Sequence, residues 1–363
     1  MKIRKLLCIV LAAAMSSLIV FSGCNTQPSE NSNVSESSVQ QSSAESSETN
    51  ESSAEVSKEI SDESSQESSK EESLPNEEQI TPAMWKVTSS DGDYMYMMGS
   101  IHLADESVNH MPDYFEEIYA ECDALAVEVN VNAAIEDMSS TATSMIYDMM
   151  YTDGTTIKDH ISEDTYNKAV ELLKENNLYN SAWDYCMPCM WVLLIESVTC
   201  EESGFDVNYG VDTVLIERAE SDSKEVLEVE SFEMQMELLT GLSDELQELM
   251  LESYLEESTI EAQSESLEQL YEKWKSGTIT AEDVLEETDE YNNDMVDERN
   301  IGMADKAEEY IKSDDTVLMV VGAAHFYGES GVLQLMEDRG YTVTQITSVD
   351  QLEQTSSQIA NAA

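Results

Sequence analysis

The sequence is poor in basic residues, and this scarcity excludes electrostatic binding to nucleic acid or to an anionic membrane. Its 363 residues include 17 Lys and Arg against 76 Asp and Glu, which gives a formal net charge of −59. A protein that binds nucleic acid by neutralising phosphates needs a basic surface, so we exclude nucleic acid as a partner. An anionic bilayer would also repel this chain, so any membrane attachment must be hydrophobic or covalent.

Cysteine is scarce as well, and its positions favour neither a zinc site nor a thioredoxin-like centre. The chain has six Cys, of which four lie beyond Cys24. Cys186 and Cys189 form a CxxC pair, but no thioredoxin-like pattern surrounds it and no second pair follows at zinc-ribbon spacing. We expect these cysteines to be small buried residues on an apolar helix. A disulfide within residues 186–200 is the alternative.

The amino terminus has the pattern of a bacterial export signal. A short basic stretch is followed by an apolar run from Leu6 to Phe21, which is shorter than the roughly 20 residues that span a bilayer. The run ends in Phe-Ser-Gly-Cys24 and resembles a lipobox in which Phe21 replaces the usual Leu. We predict a lipoprotein signal peptide over residues 1–23 and a lipid on Cys24. An ordinary secretory signal or an uncleaved anchor is the alternative.

Residues 24–80 are rich in Ser and Glu and almost free of aromatic or large apolar side chains. Such a segment cannot bury enough surface to offset its ordering entropy, so we predict a disordered tether. A long tether suits the outer face of a Gram-positive cell membrane, to which a lipid on Cys24 would attach the protein. Residues 351–363 are predicted to be a C-terminal tail.

The remaining segment, residues 81–350, is predicted to be one α/β domain. Apolar runs at 94–98, 124–129 and 317–321 are typical of buried strands, and helical patterns fill most of the chain between the last two. Strands that are apolar on both faces favour a largely buried sheet. We therefore predict a central, mostly buried sheet with a large helical insertion that covers one end of it.

Two of the four histidines occur in matching contexts. Each follows an apolar strand that ends in Gly and two small or apolar residues: Gly99-Ser-Ile-His102 and Gly322-Ala-Ala-His325. A Gly after a strand allows a sharp turn or a close approach to a ligand. Because ligands bind at the carboxyl edge of open α/β sheets, two such strands side by side would direct both imidazoles into one pocket.

Glu128 is the third candidate for this pocket, because it lies inside the apolar run Leu-Ala-Val-Glu-Val. Burying a carboxylate is costly unless it is paired, protonated or ligating; exposure at a strand edge is the alternative. Two imidazoles and one carboxylate can form an open divalent-metal site. They can also act as acid and base without a metal.

With these residues identified, the domain resembles the TraB/GumN family, which includes the Tiki proteins. The matching segments run in the family's order: MGSIHL (98–103), AVEVN (126–130), YGVD (209–212), VLEVESFEMQ (226–235), ERN (298–300), VGAAHFYGESGV (321–332) and RGYTV (339–343). Asn130 and Phe326 depart from the family's frequent Asp and Leu, but neither is a His or Glu position of the predicted site.

The resemblance implies metal-dependent hydrolysis of peptide bonds, with the paired GxxH motifs as the proposed centre. It also implies kinship with the erythromycin-esterase and ChaN-like group, which use His and Glu around a central sheet. The expected partner is a peptide or small-molecule substrate, and the expected cofactor is a divalent ion, with Mn, Co and Zn all compatible with the ligands. His102, Glu128 and His325 would ligate this ion.

The family motifs also suggest roles for four further residues. Glu230 is a candidate for water activation or for a hydrogen bond to a histidine, or else a solvated acid. Arg299 is a candidate for stabilising an oxyanion or binding a substrate carboxylate, with a salt bridge within its helix as the alternative. Asp212 is expected to cap a helix or orient a neighbour, and Asn300 to position Arg299.

Two rival functions remain open at this stage. A non-catalytic lipoprotein that sequesters a peptide or another ligand would tolerate the loss of one histidine. A metal-independent His/Glu hydrolase would resist chelators, whereas a metallohydrolase would lose its activity.

Replacing Cys24 with Ala should abolish the lipid anchor, because only a thiol at this position can be acylated. We expect incorporation of labelled palmitate to disappear and the protein to be released or retained as a precursor. Cys122→Ala is the matched control and should label normally. Unchanged labelling of the Cys24 variant would contradict the predicted anchor.

Overall fold

A computed structural model describes residues 80–130, 132–133, 146–255, 259–285, 296–352 and 354. The predicted signal peptide, Cys24, almost the whole predicted tether and most of the predicted tail lie outside these residues. Within the described residues, no helix is both long enough and apolar enough to cross a membrane.

The described chain contains a sheet of six strands, in the spatial order β4-β3-β5-β2-β1-β6. The strands are β1 (Met84–Thr88), β2 (Tyr94–Ser100), β3 (Ala124–Val127), β4 (Glu225–Glu228), β5 (Val317–Gly322) and β6 (Thr342–Ile346). Strands β4, β3, β5 and β2 are parallel, whereas β1 is antiparallel to both of its neighbours. The predicted α/β class with a buried sheet is confirmed.

Helices surround this sheet on both faces. They are α1 (Asp113–Glu121), α2 (Glu163–Glu175), α3 (Pro188–Ser203), α4 (Val211–Ser221), α5 (Phe232–Gly241), α6 (Asp244–Ser253), α7 (Ile260–Lys275), α8 (Ala281–Val284), α9 (Glu298–Ile311) and α10 (Val332–Asp338). Buried residues of α1 to α7 form a core with one face of the sheet, and those of α9 and α10 form a core with the other. The predicted helical insertion therefore packs against one face.

Strand β5 lies inside the sheet between β3 and β2, and all six of its residues are buried. Its alternate side chains divide between the two cores: Leu318 and Val320 join the insertion core, and Met319 and Val321 join the opposite core. A strand that is apolar at successive positions can be buried on both faces in this way.

One boundary differs from the sequence prediction. Strand β3 ends at Val127, so Glu128 is the first residue beyond the strand and not a residue inside it.

The insertion contacts the first GxxH turn directly. Trp274 of α7 donates its indole N–H to the carbonyl oxygen of Gly99 over 2.8 Å. At Gly210, a Cβ would lie 2.6 Å from the carbonyl oxygen of His102, so only glycine allows this approach. The helices therefore hold the backbone on both sides of His102.

The four described cysteines are buried free thiols. Burial raises the pKa of the Cys186 thiol to about 11 and that of Cys189 to about 12. These values suit small buried residues better than reactive thiols. Only Cys189 and Cys200 lie within the apolar helix α3, since Cys186 precedes it.

A buried lysine is the main polar exception in the sheet. Lys86 of β1 is 1% exposed and donates to the hydroxyl of Tyr96 over 3.3 Å. Its ammonium lies 3.5 Å from the centroid of the Tyr94 ring. Burial lowers the pKa of Lys86, and the nearby Glu121 carboxylate only partly opposes this shift.

Replacing Lys86 with Met should increase the free energy of unfolding at pH 7 by about 1–3 kcal/mol. Below about pH 10.4, the unfolded lysine binds its proton more tightly than the folded one, so the ammonium destabilises the fold. This penalty disappears as the pH rises through the lowered folded pKa towards 10.4. Urea unfolding at pH 7 and pH 10 should therefore show a smaller gain at pH 10.

Lys312→Met is the control, because this lysine side chain is 65% exposed. It should change the free energy of unfolding little at either pH. An equal effect of the Lys86 variant at both pH values would contradict the charge penalty.

Candidate active site

Three predicted site residues meet at the carboxyl edge of the sheet, around the last residue of β5. A Cβ at Gly322 would lie 3.4 Å from Glu128 Oε2, 3.5 Å from His325 Cδ2 and 3.9 Å from His102 Nε2. His102, Glu128 and His325 are each at most 2% exposed. The missing side chain of Gly322 thus makes the space in which these groups converge.

Asp212 orients the ring of His102. His102 follows β2, and its Nδ1 is hydrogen-bonded to Asp212 Oδ2 in the first turn of α4. Burial alone would lower the pKa of His102, but the charge of Asp212 and this hydrogen bond raise it overall. The expectation that Asp212 orients a neighbour agrees with this contact, and Nε2 is directed away from it.

Asn300 orients the ring of His325. Its Oδ1 lies 2.6 Å from His325 Nδ1, and its Nδ2 donates to the carbonyl oxygen of Ser330 over 2.9 Å. Since Nδ2 must be the donor to that carbonyl, Oδ1 accepts the proton of Nδ1 and leaves a lone pair on Nε2. The expectation that Asn300 positions Arg299 is wrong, because this amide binds the imidazole instead.

The two histidines differ in their preference for a proton. Burial, the positive charge of Arg299 and the neighbouring His102 together lower the pKa of His325 well below its ordinary value. His325 is therefore neutral at physiological pH, whereas the carboxylate beside His102 favours a proton there.

Arg299 of α9 is bound between two buried carboxylates. Its Nε lies 2.8 Å from Glu230 Oε1, its Nη2 lies 2.6 Å from Glu230 Oε2, and Nη2 also donates to Glu128 Oε1. The alternative of a salt bridge within its own helix is wrong, because these partners follow β3 and β4. Because this guanidinium already binds two carboxylates, it is poorly placed to bind a substrate carboxylate.

Glu230 is neither a solvated acid nor a partner of histidine. It is 8% exposed, and its carboxylate is bound by Arg299 and by Gln235 Nε2 at 3.0 Å. Glu128 is held on the same side by Gln235 Nε2 at 2.7 Å, and its Oε2 accepts the N–H of Gly322 at 3.1 Å. Burial raises the pKa of Glu128 although the charge of Arg299 opposes this shift.

Gln235 is a site residue that the sequence analysis missed. Its amide bridges Glu128 and Glu230 from α5, and it is 1% exposed. The sequence feature that could have identified Gln235 is its position five residues after Glu230, one turn into the helix that follows β4.

Buried polar atoms without a hydrogen-bond partner concentrate at this site. Among the described residues they are Ser100 Oγ, His102 Nε2, Asp212 Oδ1, Gln235 Oε1 and His325 Nε2, together with one nitrogen of Arg339. Buried polar groups are nearly always satisfied, so such a concentration indicates a place where a ligand or water binds. When the imidazole rings of His102 and His325 are neutral, most of these unpartnered atoms are hydrogen-bond acceptors.

The two imidazoles fit a divalent cation, because each has its Nδ1 held by an oxygen acceptor and its Nε2 available. This is the arrangement of metal-ligating histidines, in which the partner of the second nitrogen fixes the ring. Glu128 is already engaged by Arg299 and Gly322. No group of three His, Cys, Asp or Glu residues in the described parts of the chain is arranged to hold a metal ion.

Comparison with known proteins identifies the relatives of this domain. A family model described as the TraB/PrgY/gumN family matches residues 83–345. The chain belongs to the TraB/PrgY/gumN family. The matched region contains all six strands except the last residue of β6, together with every histidine, carboxylate and amide of the site.

Two similar relatives are the uncharacterized proteins named YbaP of Escherichia coli K12 and Shigella flexneri. Each is 21% identical over 255 residues, which is 69% of this chain and 90% of the relative. No solved structure gave a significant match.

Replacing Arg299 with Met should destabilise the protein by about 3–5 kcal/mol, because two buried carboxylates lose their cation. Adding Glu128→Gln and Glu230→Gln should restore most of the lost stability, since no buried charge then remains unpaired. Urea unfolding of the three proteins measures both effects.

Arg218→Met is the control, because the Arg218 side chain is 33% exposed in its pair with Glu116. It should cost no more than about 1 kcal/mol. Equal losses in the Arg218 and Arg299 variants would contradict a special role for the buried pair.

Proposed function

We propose that this protein is a metal-dependent hydrolase of peptides, anchored by a lipid on Cys24 at the outer face of the cell membrane. One observation carries the proposed chemistry: two buried imidazoles, His102 and His325, both direct an unpartnered Nε2 towards the space beside Glu128. The anchor rests on the lipobox-like sequence alone.

The chain's own groups have distinct roles in this proposal. A divalent ion such as Mn, Co or Zn, held by both Nε2 atoms beside Glu128, would supply Lewis acidity towards a carbonyl and a bound water. Asp212 and Asn300 keep the rings in the ligating orientation, because each binds the Nδ1 of one ring.

Glu128 is the candidate proton acceptor. Burial raises the pKa of this carboxyl, so it can take a proton from an attacking water more readily than an exposed carboxylate. Arg299 and Gln235 hold the carboxylate in place from the side opposite the backbone N–H of Gly322. Arg299 thus supports the reacting carboxylate in this proposal, and the substrate carbonyl must be activated by other groups.

A metal-independent His/Glu hydrolase is the second candidate. It is favoured by the contacts that already engage Glu128 and by its distance of 3.9 Å from His325 Nε2, which suits proton exchange through a small adjustment. Both candidates use the same three residues, so only the requirement for a metal separates them.

His102→Ala and His325→Ala should each reduce metal binding by about 100-fold or more and abolish peptide hydrolysis, because each removes a ligand. Metal content after dialysis and cleavage of a mixed peptide library measure the two effects. His110→Ala is the control and should retain both, since His110 is exposed and belongs to neither GxxH motif.

The outcomes separate the candidates. Hydrolysis that survives chelation but not His325→Ala would support the metal-independent candidate and contradict the proposed one. Metal binding without cleavage of any peptide would instead support the ligand-sequestering alternative.

A further inference from the structure

Ser100 presents a buried hydroxyl that no protein group in the described chain satisfies. It is the last residue of β2, lies between Gly99 and His102, and is 0% exposed. Its Oγ has no hydrogen-bond partner among the described residues. A serine kept in this state is unusual, because an alanine would fill the same position without a buried polar atom.

The register of the sheet places this hydroxyl at the site. Ser100 pairs with Gly322 on the adjacent parallel strand β5. Two residues earlier in each strand, Met98 pairs with Val320, and both belong to the core on the insertion side. Since side chains alternate between the faces of a strand, Ser100 faces the same side as the position where a Gly322 side chain would be.

That position is surrounded by the groups of the site. A Cβ at Gly322 would contact Glu128 Oε2, His325 Cδ2 and His102 Nε2 within 3.9 Å. Neighbouring strands lie about 4.8 Å apart, so the hydroxyl of Ser100 borders the same small space as the two imidazoles.

The hydroxyl adds a hydrogen-bond donor, which most of the other unpartnered atoms of the site are not. The free atoms of Asp212 and Gln235 are acceptors, and so is the Nε2 of neutral His325. A hydroxyl can donate a proton to an oxygen lone pair while it accepts one from elsewhere. It is therefore suited to donate to an oxygen atom that also contacts an imidazole.

We propose that Ser100 is a further ligand-binding residue of this site, whose hydroxyl donates to the oxygen atom that occupies the space between His102 and His325. This oxygen belongs to a water molecule in the free protein. The further step, that the same oxygen is the attacking water or the carbonyl oxygen of a substrate, rests on the proposed function.

A high-resolution crystal structure of the purified protein tests the first part without any assumption about a metal. We expect an ordered oxygen within about 3.2 Å of Ser100 Oγ that also contacts Nε2 of His102 or His325. In Ser100→Ala this oxygen should be lost or displaced. A Ser100 hydroxyl bonded only to protein groups would overturn the proposal.

Thermal unfolding separates a ligand-binding hydroxyl from a structural one. Ser100→Ala in metal-free protein should melt at the same temperature as the native chain or higher, because no protein hydrogen bond is lost. Thr199→Val is the matched control: this buried hydroxyl lies 2.7 Å from Gln263 Oε1, so its loss should lower the melting temperature by about 2–4 °C. A similar decrease for Ser100→Ala would overturn the proposal.

Titration with Zn²⁺ or Mn²⁺ and peptide kinetics test the second part. Ser100→Ala should weaken metal binding about tenfold, as loss of a supporting hydrogen bond does in other metal sites. A decreased kcat with unchanged KM assigns the oxygen to the attacking water, and an increased KM assigns it to the substrate carbonyl. If the native chain binds no metal, the proposed function fails, whereas the crystal structure and the melting temperatures still decide the role of Ser100.

Discussion

The buried ion pair between Arg299 and the carboxylates of Glu128 and Glu230 is the interaction on which the site depends. A buried carboxylate is tolerated only when a cation and hydrogen-bond donors compensate its lost hydration. Here one guanidinium serves two carboxylates, and Gln235 supplies a donor to each of them. The ends of β3 and β4 are thereby attached to the first turn of α9 and to α5.

This arrangement makes the two halves of the site unequal. His102 is bound to a charged oxygen of Asp212, whereas His325 is bound to a neutral amide oxygen of Asn300 and lies near the positive charge of Arg299. Two rings with the same sequence context therefore differ in how readily they hold a proton. Such a difference is a common basis for dividing acid and base roles between similar groups.

The sequence indicated the fold and the three central residues because their signals are local. An apolar strand followed by Gly-x-x-His specifies where the imidazole emerges, and an apolar run around Glu128 marks a carboxylate that is costly to bury. The exact end of β3 was less predictable, because Val127 and Val129 are equally apolar on either side of the glutamate.

The partners of these residues could not be predicted from local patterns. Asp212, Asn300 and Gln235 lie on three different helices, and the contacts of Asp212 and Gln235 reach residues more than a hundred positions away. Helical periodicity shows that one side of a helix is buried, but it does not show which strand end that side meets. For this reason Asn300 was assigned to its neighbour Arg299 when its true partner is His325.

The pairing of β1 with β6 has a consequence for how this domain folds. The first strand is hydrogen-bonded between β2 and the last strand of the sheet. Within the described residues, the β1–β2 hairpin is the pairing that needs only a short loop, and every other strand pair joins distant parts of the chain. Closing such long loops is slow, so the domain should fold late and remain open until its carboxyl-terminal strand is available. A nascent chain that ends before β6 lacks the strand that covers the outer edge of β1.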